Sequence, residues 1–230
     1  FKSILSKKVV LGTCFLITSS INPLLADGIS DNKNDKGYYL TIGVGPHRLQ
    51  NEKAKAGPDQ APDEGSTIID IFESGAAVET GIGYDFGNIR TELTYVFIDN
   101  ELKKAHLGNL GTTTSASGSV NINMYLLNAY YDFETQSRWK PYLGGGIGLG
   151  NIKTKDIKET TSAGTSTGSD KTISNLLSYQ GKFGTSYLLN DSKDIFLEGV
   201  IRRTEGFKYN SGTYDPATDL GVNIGLRHRF

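Results

Sequence analysis

Strict alternation marks the stretch Leu220-Gly221-Val222-Asn223-Ile224-Gly225-Leu226-Arg227, close to the end of the 230-residue chain. Apolar residues at every second position predict a β-strand whose two faces meet different surroundings. The same pattern recurs in seven earlier segments: 38–45, 78–86, 89–97, 120–133, 143–149, 179–187 and 195–202. The sequence therefore predicts eight strands of similar length.

One of these segments, 120–133, changes phase in its middle. Its first apolar residues share one parity up to Leu126, whereas the apolar residues from Leu127 to Phe133 share the other. A β-bulge inserts one residue and restores alternation to a single face. We therefore expect a bulge near Leu126–Leu127.

Short and long connections also alternate along the chain. Short ones fall at Gly87–Asn88, near Thr135–Trp139 and near Asn190–Lys193, and long polar ones cover roughly 46–75, 99–117, 152–172 and 205–217. Eight strands joined in this way predict an all-β fold, an eight-stranded antiparallel up-and-down β-barrel. Residues 27–230 contain no composition shift that would mark a second domain.

The composition agrees with strands and turns and narrows the function classes. The chain holds 28 Gly, 12 Tyr and 10 Phe, and glycine and aromatic residues disfavour helices and favour turns and pleated surfaces. A single cysteine excludes an internal disulfide and a cysteine-based zinc site. A net charge of −1 gives no reason to expect nucleic acid as a partner.

The first 26 residues have the features of a cleaved signal peptide. Lys2, Lys7 and Lys8 precede the apolar run 9–17, and Ala26 precedes a polar segment. A run of about nine residues is too short to span a membrane as a helix. Cys14 raises the alternative of a lipoprotein, although apolar residues continue beyond it. Cleavage after Ala26 would leave 21 basic and 25 acidic residues and no cysteine.

Alternation alone leaves open whether the apolar face points into the barrel, as in a soluble lipocalin-like carrier, or outward into a membrane. Four features favour the outward arrangement: charges of both signs on the polar face, glycine on that face, aromatic residues near strand ends, and the asymmetry of the connections. We therefore predict a transmembrane barrel. Its lumen would hold the charged side chains of Arg90, Glu92, Lys182, Glu198, Arg202 and Arg227.

The last residue, Phe230, ends an alternating strand. Here the sequence resembles the small outer-membrane β-barrel proteins of Gram-negative bacteria, whose last strand carries a pattern polar-x-Gly-x-x-aromatic-x-aromatic. Asn223, Gly225 and Phe230 fit this assembly signal, whereas His228 stands where the first aromatic residue is usual. The resemblance implies recognition by periplasmic chaperones and the barrel assembly machinery.

Three further motifs resemble the opacity-type and rickettsial surface-antigen barrels. They are Gly83-Tyr84-Asp85-Phe86 with Arg90-Thr91-Glu92-Leu93, then Asn128-Ala129-Tyr130-Tyr131-Asp132-Phe133, then Pro141-Tyr142-Leu143-Gly144-Gly145-Gly146-Ile147-Gly148. The resemblance implies a surface antigen or adhesin in the bacterial outer membrane, which displays its loops for adhesion, host or surface interaction, or envelope integrity. Its partners would be outer-membrane lipid and lipopolysaccharide, and host or surface ligands reached through the long loops.

The lumen charges are the main candidate site. They would either form an ion-paired plug or line a small porin-like channel, and a narrow eight-stranded interior favours the plug. His47 and His106, both expected in long loops, would be needed by a lipid-modifying enzyme, but neither lies in a recognisable catalytic motif. We expect no enzyme activity, no metal and no cofactor.

Four residues, Ile68, Ile69, Ile71 and Phe72, are unusually apolar for an outer loop. They would either extend the second strand above the membrane or fold inward as a cap.

Overall fold

Eight antiparallel strands close into a ring. The computed structural model describes residues 36–50, 52–55, 67–72, 74–107, 112–161, 164–168, 170–209 and 212–230. Its strands are β1 (Gly37–Leu49), β2 (Glu52–Lys55), β3 (Thr67–Phe72), β4 (Ser74–Asp85), β5 (Ile89–Leu107), β6 (Thr112–Asp132), β7 (Trp139–Thr161), β8 (Gly164–Thr167), β9 (Lys171–Asn190), β10 (Lys193–Thr204), β11 (Phe207–Tyr209), β12 (Gly212–Tyr214) and β13 (Ala217–Arg229). The ring runs β1–β4–β5–β6–β7–β9–β10–β13 and closes where β13 pairs with β1. This confirms the predicted eight-stranded antiparallel barrel.

The five short strands prolong the barrel wall. β2 continues β1, β3 leads into β4, β8 precedes β9, β11 follows β10 and β12 leads into β13. Much of the sequence predicted as four long connections is therefore strand, because its backbone pairs with neighbouring strands. The hairpin tips at 56–66, 108–111, 162–163 and 210–211 lie outside the described residues, as does the predicted signal segment 1–26. We call this end of the barrel the tip end.

The opposite end, the turn end, carries three short connections at 86–88, 133–138 and 191–192. In the first, the Gly87 N–H donates to Asp85 Oδ1 at 2.9 Å, and the Phe86 N–H donates to the Ile89 carbonyl. Gly87 has φ of 112°, a left-handed conformation that favours glycine over every other residue. The three short turns therefore lie close to the positions predicted from the sequence.

Apolar side chains cover the outside of the ring. Leu127 is 61% exposed and Phe183 67%, and large apolar residues on all eight ring strands share this outward direction. Aromatic rings pair on this surface near the turn end, for example Tyr131 with Phe133 at 5.1 Å between centroids. The apolar face points outward, as predicted for a membrane barrel, and the lipocalin-like alternative is wrong. Among the described residues no helix is long and apolar enough to cross a membrane.

The predicted bulge in β6 is wrong. Leu126 pairs with Thr94 and Leu127 with Leu93 in unbroken register, and the register shift of β6 lies instead between Ser117 and Ser119. The buried, inward residues of β6 all occupy even-numbered positions. They are polar near the turn end and apolar near the tip end, and this change of polarity gave the sequence its apparent change of phase. Towards the tip end the inward residues form a tip-side apolar cluster: Leu49, Phe72, Ala77, Val96, Ile98, Leu102, Val120, Ile122, Met124, Leu126, Ile152 and Ala217.

The apolar residues of segment 68–72 are also explained by the apolar level of the lumen near the tip end. It lies in β3, which pairs with the tip end of β5, so it extends the wall as one alternative proposed. Its last residue, Phe72, is 6% exposed and belongs to the tip-side apolar cluster. The segment therefore both prolongs the second predicted strand and contributes a side chain to the interior.

Neighbouring positions on β6 provide a test of this phase. Residues 27–230 contain no cysteine, so Leu126→Cys and Leu127→Cys each introduce one thiol. We expect Leu127→Cys in the barrel reconstituted in vesicles to react readily with a lipid-soluble maleimide. Leu126→Cys, buried inside, should react at least about tenfold more slowly, because labelling requires local opening. Equal rates, or the reverse order, would contradict the inward position of Leu126.

Candidate functional site

Buried charges from opposite walls meet in the middle of the lumen. Glu79 on β4 contacts the Lys182 ammonium on β9, and its Oε2 accepts from Arg202 Nη2 at 2.5 Å. Lys182 also lies 2.9 Å from Glu198 Oε1. In the ring, β4 and β9 are four strands apart in either direction, so the contact between Glu79 and Lys182 crosses the whole lumen.

A second group joins this centre from β1 and β13. Arg202 Nη1 lies 3.2 Å from Asp219 Oδ2, which is 2.8 Å from His47 Nδ1. Asn223 donates through Nδ2 to Glu79 and Glu198, so its Oδ1 faces His47 Nε2 at 2.8 Å. His47 Nε2 therefore carries a hydrogen. Together we call Glu79, Lys182, Glu198, Arg202, Asp219, His47 and Asn223 the central network.

His47 was expected in a long loop, and that expectation is wrong. It lies on β1 with 1% of its surface exposed, because β1 extends to Leu49. A glycine on the neighbouring strand makes room for it: a Cβ on Gly221 would collide with the His47 ring. His106 lies in β5, and its side chain is outside the described part of the chain.

A second charged group, the turn-end cluster, lies below the central network. Arg90 binds Asp132 through two hydrogen bonds of 2.5 and 2.9 Å, and its guanidinium lies 4.6 Å from the centre of the Tyr130 ring. This arrangement combines a bidentate ion pair with a cation–π contact. The cluster extends through Tyr142, whose ring lies 5.2 Å from the same guanidinium.

The other half of the turn-end cluster comes from β10 and β13. Arg227 and Arg229 both reach Asp194 Oδ2, at 3.2 and 2.8 Å, and Arg229 also lies 3.6 Å from Asp85 Oδ2. Tyr142 links the two levels of the lumen, because its hydroxyl donates to Glu198 Oε2 at 2.8 Å. Charged and aromatic side chains therefore follow one another from the turn end to the centre.

Glu92 is held in a different way from the other predicted charges. Thr94, Thr41 and Tyr130 donate hydroxyl hydrogen bonds to its carboxylate at 2.8, 3.2 and 3.3 Å. Among the described residues it has no cation within ion-pair distance, so the structure does not join it directly to Arg90. All six predicted lumen charges nevertheless point inward and are buried.

Five carboxylates of these networks were not among the predicted site residues: Glu79, Asp85, Asp132, Asp194 and Asp219. The sequence offered only one indication of these acids, their position on the polar faces of the alternating segments. That indication is weak because solvent-exposed acidic residues occur at such positions too. What distinguishes them is their cationic partner, and Glu79 and Lys182 are 103 residues apart in the chain.

Burying the charged side chains in the lumen costs free energy. Removing an ion from water costs several kcal/mol even in real proteins, and close ion pairs with further hydrogen bonds are needed to offset it. Here each cation lies against at least one carboxylate, and hydroxyl and amide groups complete several of the remaining contacts. An eight-stranded interior is just wide enough for side chains to fill. The side chains of the central network and of the tip-side apolar cluster are buried in this interior.

The structure offers no evident metal or hydrolytic centre in the residues it describes. No group of three or more His, Cys, Asp and Glu side chains has the arrangement of a metal site there. His228 is near Ser192, with Nδ1 3.2 Å from the backbone carbonyl, and its ring packs on Phe230. Of the histidines with described side chains, His47 is buried in the central network, whereas His228 packs on the exposed Phe230 at the turn end.

The three residues of the predicted assembly signal occupy different surroundings. Asn223 is buried in the central network, and Gly225 lies against the Phe196 ring, where a Cβ would collide. Phe230 is 75% exposed, and its N–H donates to the Tyr38 carbonyl at 3.1 Å. Only Phe230 presents its side chain to the outside. Recognition of this signal by the assembly machinery stays a prediction.

Sequence comparison finds one family over most of the barrel. A family described as surface antigen matches residues 71–222. A Rickettsia conorii protein described as a candidate adhesin is 29% identical over 177 residues, which cover 74% of this chain and 68% of that protein. An opacity protein of Neisseria gonorrhoeae is 24% identical over 189 residues, covering 73% of this chain and 76% of its own length.

Solved structures agree on the fold. Neisserial surface protein A aligns with a TM-score of 0.53 at 18% identity, over 84% of this chain and 97% of that one. The outer membrane protease OmpT of Escherichia coli aligns with a TM-score of 0.56 at 7% identity, over 86% and 97%. At these identities the likeness concerns the fold alone, and the protease activity belongs to OmpT.

Glu79→Gln tests the central network. The neutral amide leaves Lys182 and Arg202 without their shared carboxylate, and breaking a buried pair in this way costs about 3–5 kcal/mol. We expect the midpoint of urea unfolding in lipid vesicles, followed by the fluorescence of the single tryptophan Trp139, to fall accordingly. Glu134→Gln, at an exposed position, is the matched control and should change it little. Equal unfolding of both variants would exclude a structural role for the network.

Proposed function

The chain belongs to the surface-antigen family of outer-membrane β-barrels, and from this premise we propose that it is an adhesin whose filled barrel displays the tip end outside the cell. The observation that carries the proposal is the set of buried ion pairs that cross the lumen, because a barrel whose interior is crossed by such pairs is suited to act through its surface. The wall prolonged by β2, β3, β8, β11 and β12 supports it, since these strands extend the barrel beyond its apolar band.

The predicted ion-paired plug is the preferred role of the lumen charges. Arg90, Lys182, Arg202 and Arg227 each lie against a buried carboxylate, so a passing ion would have to displace an existing pair. The tip-side apolar cluster adds a second barrier, because ions are poorly solvated among apolar side chains. Both features oppose the porin-like alternative.

The same geometry opposes catalysis. The His47 ring is closed off from solvent, and both of its nitrogens already face polar partners. A general base must reach the proton of its substrate. We therefore expect purified barrel to show no hydrolysis of phospholipid or lipopolysaccharide, and activity lost in His47→Ala or His106→Ala would contradict this.

The partners follow from the location. The outward apolar face fits outer-membrane lipid, and exposed cations beyond it, such as Arg48, Lys153 and Lys155, fit the phosphates of lipopolysaccharide. Periplasmic chaperones and the barrel assembly machinery would act before insertion, with Phe230 as the exposed part of the signal. Host or surface ligands would meet the tip end.

The proposal can be tested by expressing the protein in a Gram-negative strain that does not otherwise bind host cells, and measuring its adherence. We expect the strain expressing the whole protein to bind a cultured epithelial or endothelial monolayer well above the same strain with empty vector. Replacing the tips 56–66, 108–111, 162–163 and 210–211 one at a time keeps the lumen intact and locates the contact. Adherence no higher than vector, on both monolayers and with the barrel folded in the outer membrane, would refute the proposal.

Planar-bilayer recording separates adhesin from channel. We expect no steady single-channel conductance from the wild-type barrel, because the central network crosses the lumen. Glu198→Ala removes a charge from the central network and Arg90→Ala removes one from the turn-end cluster, so both variants would alter a conducting path through the lumen. A wild-type conductance that these substitutions abolish or change would favour the porin-like alternative.

A further inference from the structure

Two exposed arginines stand side by side on the outer wall, at the edge of the apolar band that lies nearer the tip end. Arg48 on β1 pairs with Leu220 of β13. Arg203 on β10 pairs with Thr218 of the same strand, so the two arginines flank β13. Both alternate with buried residues, and their side chains therefore point outward. Neighbouring strands are about 4.8 Å apart, which separates the two arginines by about 10 Å across the wall.

Three lysines continue this side of the wall towards the tip end. Lys208 on β11 pairs with Thr213 on β12, which pairs with Lys55 on β2, so the three side chains form one row. The adjacent row contains Phe207, which packs against the tip-side apolar cluster, so the row of Lys208 faces outside. Lys53 lies two residues before Lys55 on β2 and shares its direction. We call these five cations the basic face: Arg48, Lys53, Lys55, Arg203 and Lys208.

The basic face carries positive charge without matching carboxylates. Among the residues that the structure describes, none of its five cations takes part in an ion pair. The exposed acids with described side chains on the tip-end half of the same strands are Glu205 and Asp215, so three positive charges are left over. On β5, across the ring, the first charged residue beyond the apolar band is the acidic Asp99. An anion is therefore the partner that the basic face lacks.

Apolar side chains lie directly beneath the two arginines on the same strands. Ile201 precedes Arg203 on β10, Val44 lies below Arg48 on β1, and Leu220 lies between them on β13, all of them exposed. A molecule against this surface therefore meets apolar side chains at one level and cations at the next. Lipopolysaccharide has the matching order, with acyl chains in the membrane and phosphate groups on the sugars above them. Free phosphate and acidic polysaccharides lack the apolar part.

We propose that the basic face is a binding site for one lipopolysaccharide molecule of the outer leaflet, whose phosphates it holds while the acyl chains lie against the apolar band. A guanidinium group binds phosphate through two parallel hydrogen bonds, so Arg48 and Arg203 would hold the phosphates nearest the membrane. The three lysines would meet phosphates on the sugars above. The inference rests on the outward orientation of the tip end in the proposed function, and it assigns that lipid a defined site.

Native mass spectrometry of the whole barrel in detergent, titrated with phosphorylated lipid A, tests the site. The double variant Arg48→Gln/Arg203→Gln removes two cations of the basic face, and Lys36→Gln/Arg138→Gln removes two exposed cations at the turn end as a matched control. We expect the first variant to bind lipid A at least about tenfold more weakly than wild type, because each cation beside an anionic lipid contributes about fivefold. The control should stay within about twofold. Dephosphorylated lipid A and phosphatidylglycerol should both bind wild type at least about tenfold more weakly.

Three results would overturn the inference. Equal binding of lipid A by wild type and by Arg48→Gln/Arg203→Gln would exclude the basic face as the site. Equal binding of lipid A with and without its phosphates would mean apolar contact alone. Equal binding of phosphatidylglycerol would mean a general attraction for anionic lipid.

Two controls keep these results distinct from other causes. The titration uses no host cells, so its failure would leave the adhesin function intact, and a failure to adhere would leave the lipid site intact. A variant whose migration on gels does not change on boiling has misfolded. The triple variant Lys53→Gln/Lys55→Gln/Lys208→Gln then supplies the test, with the same expected weakening of lipid A binding.

Discussion

The carboxylate of Glu79 is the point on which the interior depends. It lies between Lys182 and Arg202, which come from the opposite side of the ring, and Asn223 donates to it as well. An eight-stranded barrel has to fill its section with side chains, and charged ones are stable there only with close partners of opposite sign. Four strands, β4, β9, β10 and β13, are therefore held together through one acid.

Strand identity could be predicted from the sequence because alternation is a local property. Each segment shows its period within about eight residues, and the direction of the apolar face followed from the charges opposite it. The bulge in β6 was mispredicted for the same local reason. Leu126 is apolar and inward because the lumen changes from polar to apolar at that level, and only the neighbouring strands show this.

The candidate site was predictable in part. Six charged residues on polar faces were identified as inward, but apart from the pair Lys182–Glu198 their charged partners were not. Lys182, for example, also contacts Glu79 across the barrel and across 103 positions of sequence. His47 was misplaced because polar residues beyond the apolar band look like loop. In the structure they continue the strands, since each finds a neighbouring strand to bond with.

The tip-side apolar cluster has a consequence for the charges beneath it. It lies between the central network and the tip end, and buried pairs of this kind are screened by dissolved salt much less than surface pairs are. The stability that these ion pairs give the barrel therefore depends little on the ionic strength of its surroundings. A cell-surface protein that meets fluids of changing salt content would keep the same interior in all of them.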